Sequence, residues 1–201
     1  MYYPEDFNYS NKDYLTKKNS DFDSVKPGDR IYNLILDKGH ALSKEDIAGL
    51  IPGLTGVRLY SLVVTDDRLL QWDYNSYVAW DLVKLSSGKQ YQLKKLIEKS
   101  LDENSGYISE GFLYNAVNNT YPDIIGTSMI KNTRNLYYLC LYLFNNDFDF
   151  SKPHISSKGL FDNISAEKVI THLMGDSEYL SLSELQSISK KYMWANATFE
   201  Q

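Results

Sequence analysis

Ala41-Leu42-Ser43-Lys44-Glu45-Asp46-Ile47, Tyr107-Ile108-Ser109-Glu110-Gly111-Phe112-Leu113 and Tyr179-Leu180-Ser181-Leu182-Ser183-Glu184-Leu185 read as one phrase written three times. Each is a short extended pair ending in a serine. Its hydroxyl can accept a hydrogen bond from a free N–H in the first turn of a following helix. A period of tens of residues reports a repeated supersecondary unit, so the three serines predict three helix starts in three related units.

Upstream, Ile31 to Leu36, Leu93 to Leu101 and Val169 to Met174 carry apolar residues at helical spacing, each followed by a charged or Gly-containing turn. Each unit therefore opens as helix, turn, short strand, helix. Downstream of Ile51-Pro52-Gly53, Thr55 is expected to cap a helix through Val64, and after Tyr121-Pro122 a longer helix is expected from about Thr133 to Asn145. Behind the first of these come Leu69 to Trp72 and Tyr77 to Trp80, β-formers on either side of the polar Asp73-Tyr74-Asn75-Ser76, which predicts a hairpin. Phe148 to Ile155 is expected to be the equivalent return strand of the second unit, pushed to an edge by Pro153.

Helix, helix, helix and hairpin, carried by the Ser-initiated second helices and the Trp72 to Trp80 hairpin, resemble the winged helix-turn-helix superfamily over roughly residues 29 to 156. The expected fold class is mostly α with small β-wings, as tandem winged-helix units with the third incomplete. Residues 1–28, rich in Asn, Asp, Ser, Tyr and Lys, read as a tail or linker. Unit 1 is expected over 29–85, unit 2 over 89–157, and an incomplete helix-turn-helix unit 3 over 163–201. Ala195 to Gln201 are too few for a third helix and a wing, and Asn196 looks like the cap of a helix that stops. The expectation is a chain cut from something longer.

Composition narrows the chemistry. Apolar residues make up 43% of 201 positions, enough for packed cores, and no apolar run approaches the roughly 20 residues that span a bilayer. No basic, apolar leader follows Met1, so a cytoplasmic protein with no membrane partner is expected. Low Gly and Pro beside plentiful Asn, Lys and Tyr suit a low-GC bacterium or its phage. The single cysteine, Cys140, lies in an apolar helical run and reads as core. His40, His154 and His172 fall one in each unit without a ligand at i+3 or i+4, so they read as surface or half-buried structural residues. Asp147-Phe148-Asp149 reads as a strand with one buried and one solvated face. No phosphate-loop, dinucleotide, metalloprotease or nucleophile-elbow motif is present. A non-enzymatic protein without cofactor or metal is expected.

The resemblance implies double-stranded DNA as a partner, read by the third helix with phosphates held by the wing. Its residues would be Thr55, Arg58 and Ser61 on the first unit's third helix, with Val57, Tyr60 and Val64 packing inward; Arg68 near the wing; Lys94 and Lys95 on the second unit's first helix; and Lys131 and Arg134 before and in its third. Charge counts against that partner, since the chain carries −5 and no unit is basic overall. A protein partner or self-association is nearly as well supported, through an exposed aromatic patch formed by Tyr137, Tyr138 and Tyr142 or by Trp72 and Trp80. DNA binding or transcription-type regulation leads narrowly. A protein-interaction or structural module of a larger bacterial or phage protein is the alternative.

Overall fold

In the computed structural model, residues 7–10, 14–17, 27–51, 54, 56–83, 85–127 and 129–194 are described. The chain is mixed α/β and mostly helical, with two small three-stranded antiparallel sheets. It divides into two compact units, Met1–Val83 and Lys84–Gln201.

In the first unit, strands β1 (Phe7–Ser10) and β2 (Tyr14–Lys17) pair antiparallel, so part of the segment read as a tail is a two-stranded ladder. Helix α1 (Pro27–Lys38) starts on a proline, whose missing N–H costs nothing at a first helical position. It ends at Gly39, where φ is +67° and the glycine N–H donates to the Ile35 and Leu36 carbonyls. Strand β3 (Leu42–Ser43) leads into α2 (Lys44–Leu50). The Ser43 hydroxyl accepts from the Asp46 N–H, and the Asp46 carboxylate accepts in return from the Ser43 backbone N–H. Helix α3 (Gly56–Thr65) then precedes the hairpin of β4 (Leu69–Asp73) and β5 (Ser76–Ala79), and α4 (Trp80–Val83) closes the unit. The sheet order is β3-β5-β4, with Leu42 opposite Tyr77 and Ser43 opposite Ser76. Ile31, Ile35, Ile47, Leu59 and Leu69 meet between the helices and one sheet face.

The second unit repeats this order with one insertion. Helix α5 (Ser87–Asp102), β6 (Tyr107–Ser109) and α6 (Glu110–Thr120) are followed by the short α7 (Pro122–Thr127), then α8 (Thr133–Phe144), β7 (Phe148–Ser151) and β8 (His154–Ser157). The sheet order β6-β8-β7 matches that of the first unit. Phe148 to Ile155 is therefore a hairpin and not a single return strand. Pro153 sits in its turn, where no ladder N–H is required, and β8 is the central strand. Helices α9 (Ala166–Met174) and α10 (Leu182–Lys191) belong to this same unit. They share a core with Tyr107 of β6 through Ile164, Val169, Tyr192 and Trp194. The α10 helix itself buries none of its residues. Thr55 and Asn196, each given a role above, lie outside the described residues.

Candidate interaction surface

Helix α3 carries apolar residues on two sides. Leu59 and Val63 are buried and Leu62 packs against the same core. Val57, Tyr60 and Val64 point away from that core, with 84%, 60% and 63% of their surface exposed. The i, i+3, i+7 spacing places these three on one stripe, next to the exposed Ser61. The expected orientation is thus reversed. Sequence GVRLYSLVVT allows either stripe, 57/60/64 or 59/62/63, to face inward at helical spacing. Tertiary packing selects the one with two leucines. The outward stripe holds no charged side chain. Leu50, at the end of α2, is also more than half exposed.

The cations expected to meet DNA are mostly engaged elsewhere. The Arg68 guanidinium takes the Asp29 carboxylate at 2.6 Å and Asp66 at 2.7 Å, donates through Nε to Asp66 at 2.9 Å, and lies 4.5 Å over the Tyr32 ring. The Arg68 hydrogen bond holds the Asp66 carboxyl below the usual carboxylate range. Lys94 pairs with Asp147 at 2.6 Å, and Lys95 with Glu98 at 2.5 Å. Arg58 and Arg134 are half-buried, whereas Lys131 is exposed just ahead of α8. These groups are spread over both units, and no basic stripe is assembled from them.

The expected aromatic patches are also absent among the described residues. Trp72 is 3% exposed and Trp80 half-buried. Tyr137 is buried, stacked edge-on to Tyr138 and Phe150, and Tyr138 and Tyr142 are half-buried. A helix as apolar all round as α8 was bound to be covered on more than one side, and its tyrosines follow the same rule. Cys140 on this helix is fully enclosed, and burial pushes its thiol pKa up.

One polar cluster lies deep in the second unit. The Trp194 Nε1–H donates to the Tyr107 hydroxyl at 2.7 Å, and the same hydroxyl is hydrogen-bonded to His154 Nδ1 at 2.8 Å. Burial lowers the His154 pKa and raises that of Tyr107. His154 is therefore more deeply buried than a surface or half-buried residue. A cavity of about 210 Å³ adjoins it, lined also by Glu110, Thr133 and Pro153. Hydrogen bonds tie the three buried rings to one another, the pattern of a structural network. Asp149 of β7 is paired with Lys158 at 2.8 Å, and Asp147 precedes the strand instead of sharing its face. Among the described residues no group of three or more His, Cys, Asp or Glu could hold a metal ion, and no helix is long and apolar enough to cross a membrane.

Comparison of the chain with family models, with curated proteins and with solved structures returned no match. The α3 stripe is a surface that sequence reasoning missed, and its apolar residues were visible without their direction.

Proposed function

We propose that the chain is a non-enzymatic interaction module of tandem winged helix-turn-helix units, and that its first unit binds a protein partner through the outward stripe of α3. One observation carries the reading. The helix in the recognition position offers Val57, Tyr60 and Val64 to solvent, while its one charged residue, Arg58, is half-buried. A phosphate backbone demands cations, whereas a protein interface is built around apolar and aromatic anchors with charges kept to the rim. The ion pairs of Arg68, Lys94 and Lys95 and the net charge of −5 favour protein over DNA in the same direction.

A photo-crosslinking amino acid placed at position 60, with a control at the exposed Asp102, tests this in cells that express the chain. The expected result is a discrete protein adduct from position 60, absent from position 102 and lost when Val57→Asp is added. A nucleic-acid adduct, or tight binding of a 30-base-pair duplex that weakens steeply with salt, would restore DNA as the partner.

A further inference from the structure

Two helices begin at the cavity beside His154. Glu110 and Gly111 open α6, Thr133 opens α8, and all three line the cavity together with His154. The rest of its wall is mostly apolar, from Pro153, Met193 and Trp194. Met193 keeps its place there at φ +52°, a backbone conformation that methionine seldom adopts. The volume of about 210 Å³ exceeds the roughly 150 Å³ that accommodates benzene in a protein interior. Every one of these residues belongs to the second unit, so the cavity and the α3 stripe lie in different units.

Some polar groups on this wall are used by the fold and others are left over. In the first turn of α6 the Glu110 N–H donates to the Pro153 carbonyl and the Phe112 N–H to the Ser109 hydroxyl. The Gly111 N–H between them, which has no intrahelical acceptor at this position, finds none elsewhere among the described residues. The Thr133 hydroxyl likewise makes no hydrogen bond among them. His154 is only 6% exposed; Nδ1 is bonded to Tyr107, and Nε2 has no partner among the described residues. Buried polar atoms are seldom left this way. A donor, a hydroxyl and a ring nitrogen thus meet at one enclosed space.

Charge selects among occupants. An anionic ligand would be brought against the Glu110 side chain, which repels it. A cationic one would face the positive ends of both α6 and α8. A neutral group that both accepts and donates meets neither penalty. We propose that this cavity is a binding site for a small neutral carboxamide carried on a single aromatic ring. The carboxamide oxygen accepts from the Gly111 N–H, and its NH₂ group donates to Glu110. Thr133 and His154 Nε2 complete the polar contacts, while the ring lies against Pro153, Met193 and Trp194. A mostly apolar pocket with a few convergent polar groups is the usual build of a small-molecule site.

Nitrogen NMR of the full chain at about pH 7, following the Gly111 amide and the His154 ring, tests the proposal with benzamide, benzoate, benzylammonium and toluene. The four probes share a ring and differ in charge and hydrogen bonding. Benzamide should shift both signals saturably, with a Kd roughly tenfold or more below those of the other three. Glu110→Gln should tighten benzoate roughly tenfold by removing the repulsion, and the ranking in the parent chain stands whether or not that variant folds. Benzoate or benzylammonium binding as tightly as benzamide would assign the cavity to a charged ligand. Toluene doing so would make it a merely apolar void. No shift from any probe at millimolar concentration would mean that it takes no ligand of this class. Each of these three results overturns the proposal.

Discussion

At Arg68 the side chain joins α1 to the turn before β4, because Asp29 and Asp66 converge on one guanidinium. Each partly exposed pair contributes under about 1 kcal/mol, and Lys cannot reproduce the forked geometry. Arg68→Lys and Arg68→Ala should therefore lower the urea midpoint of the first unit by similar, modest amounts. Asp66 is depressed in the folded chain, so its contribution is complete above the unfolded value of about 3.9 and is lost as pH falls through the folded one. An acid titration of stability should show that loss, flattened in Arg68→Ala. His154 acts higher on the scale. Its folded pKa lies below the unfolded value of about 6.5, so the neutral ring stabilises fully above that pH, and stability declines from there down to the folded pKa. His154→Gln should remove this step. Tyr107→Phe strands the buried Trp194 N–H and the His154 Nδ1, at a cost of about 1–3 kcal/mol in chemical denaturation.

Helix starts were legible in the residues because a cap is a local event: a serine, an extended backbone and a free N–H within four positions. Removing one by Ser→Ala costs about 1 kcal/mol. Ser109→Ala should cost more than Ser181→Ala in thermal unfolding, since the Ser109 hydroxyl also donates to the Tyr192 carbonyl inside the unit. Direction within a helix was not legible. On α3 the 3.6-residue period fits two apolar stripes, and only the sheet and α1 decide which is inward. Leu59→Ala should therefore destabilise by about 2–5 kcal/mol, whereas Val57→Glu and Tyr60→Ala should stay within about 0.5 kcal/mol of the parent. The engagement of Arg68 with Asp29 was equally invisible, because the two are far apart in sequence. The β7–β8 turn at Pro153 was read as a strand edge for want of a glycine or asparagine to mark it, and the strands β1 and β2 fell in a polar segment with no clear period.

On the scale of the whole chain, three written repeats make two compact bodies. The third phrase keeps its two helices but lends their apolar side to the second unit, where Val169, Ile164 and Trp194 cover Tyr107. Val169→Ala should therefore weaken not only α9 but β6 as well, by about 2 kcal/mol. The amides of both elements should then lose exchange protection together. The chain's lone thiol gives a way to watch this body by itself. Cys140 is sealed inside α8, its thiolate suppressed by its surroundings, and Met1–Val83 contains no other sulfhydryl. A maleimide added to the native chain should react only as fast as Lys84–Gln201 breathes open, so a single mass shift becomes a stopwatch for one body that is blind to its neighbour.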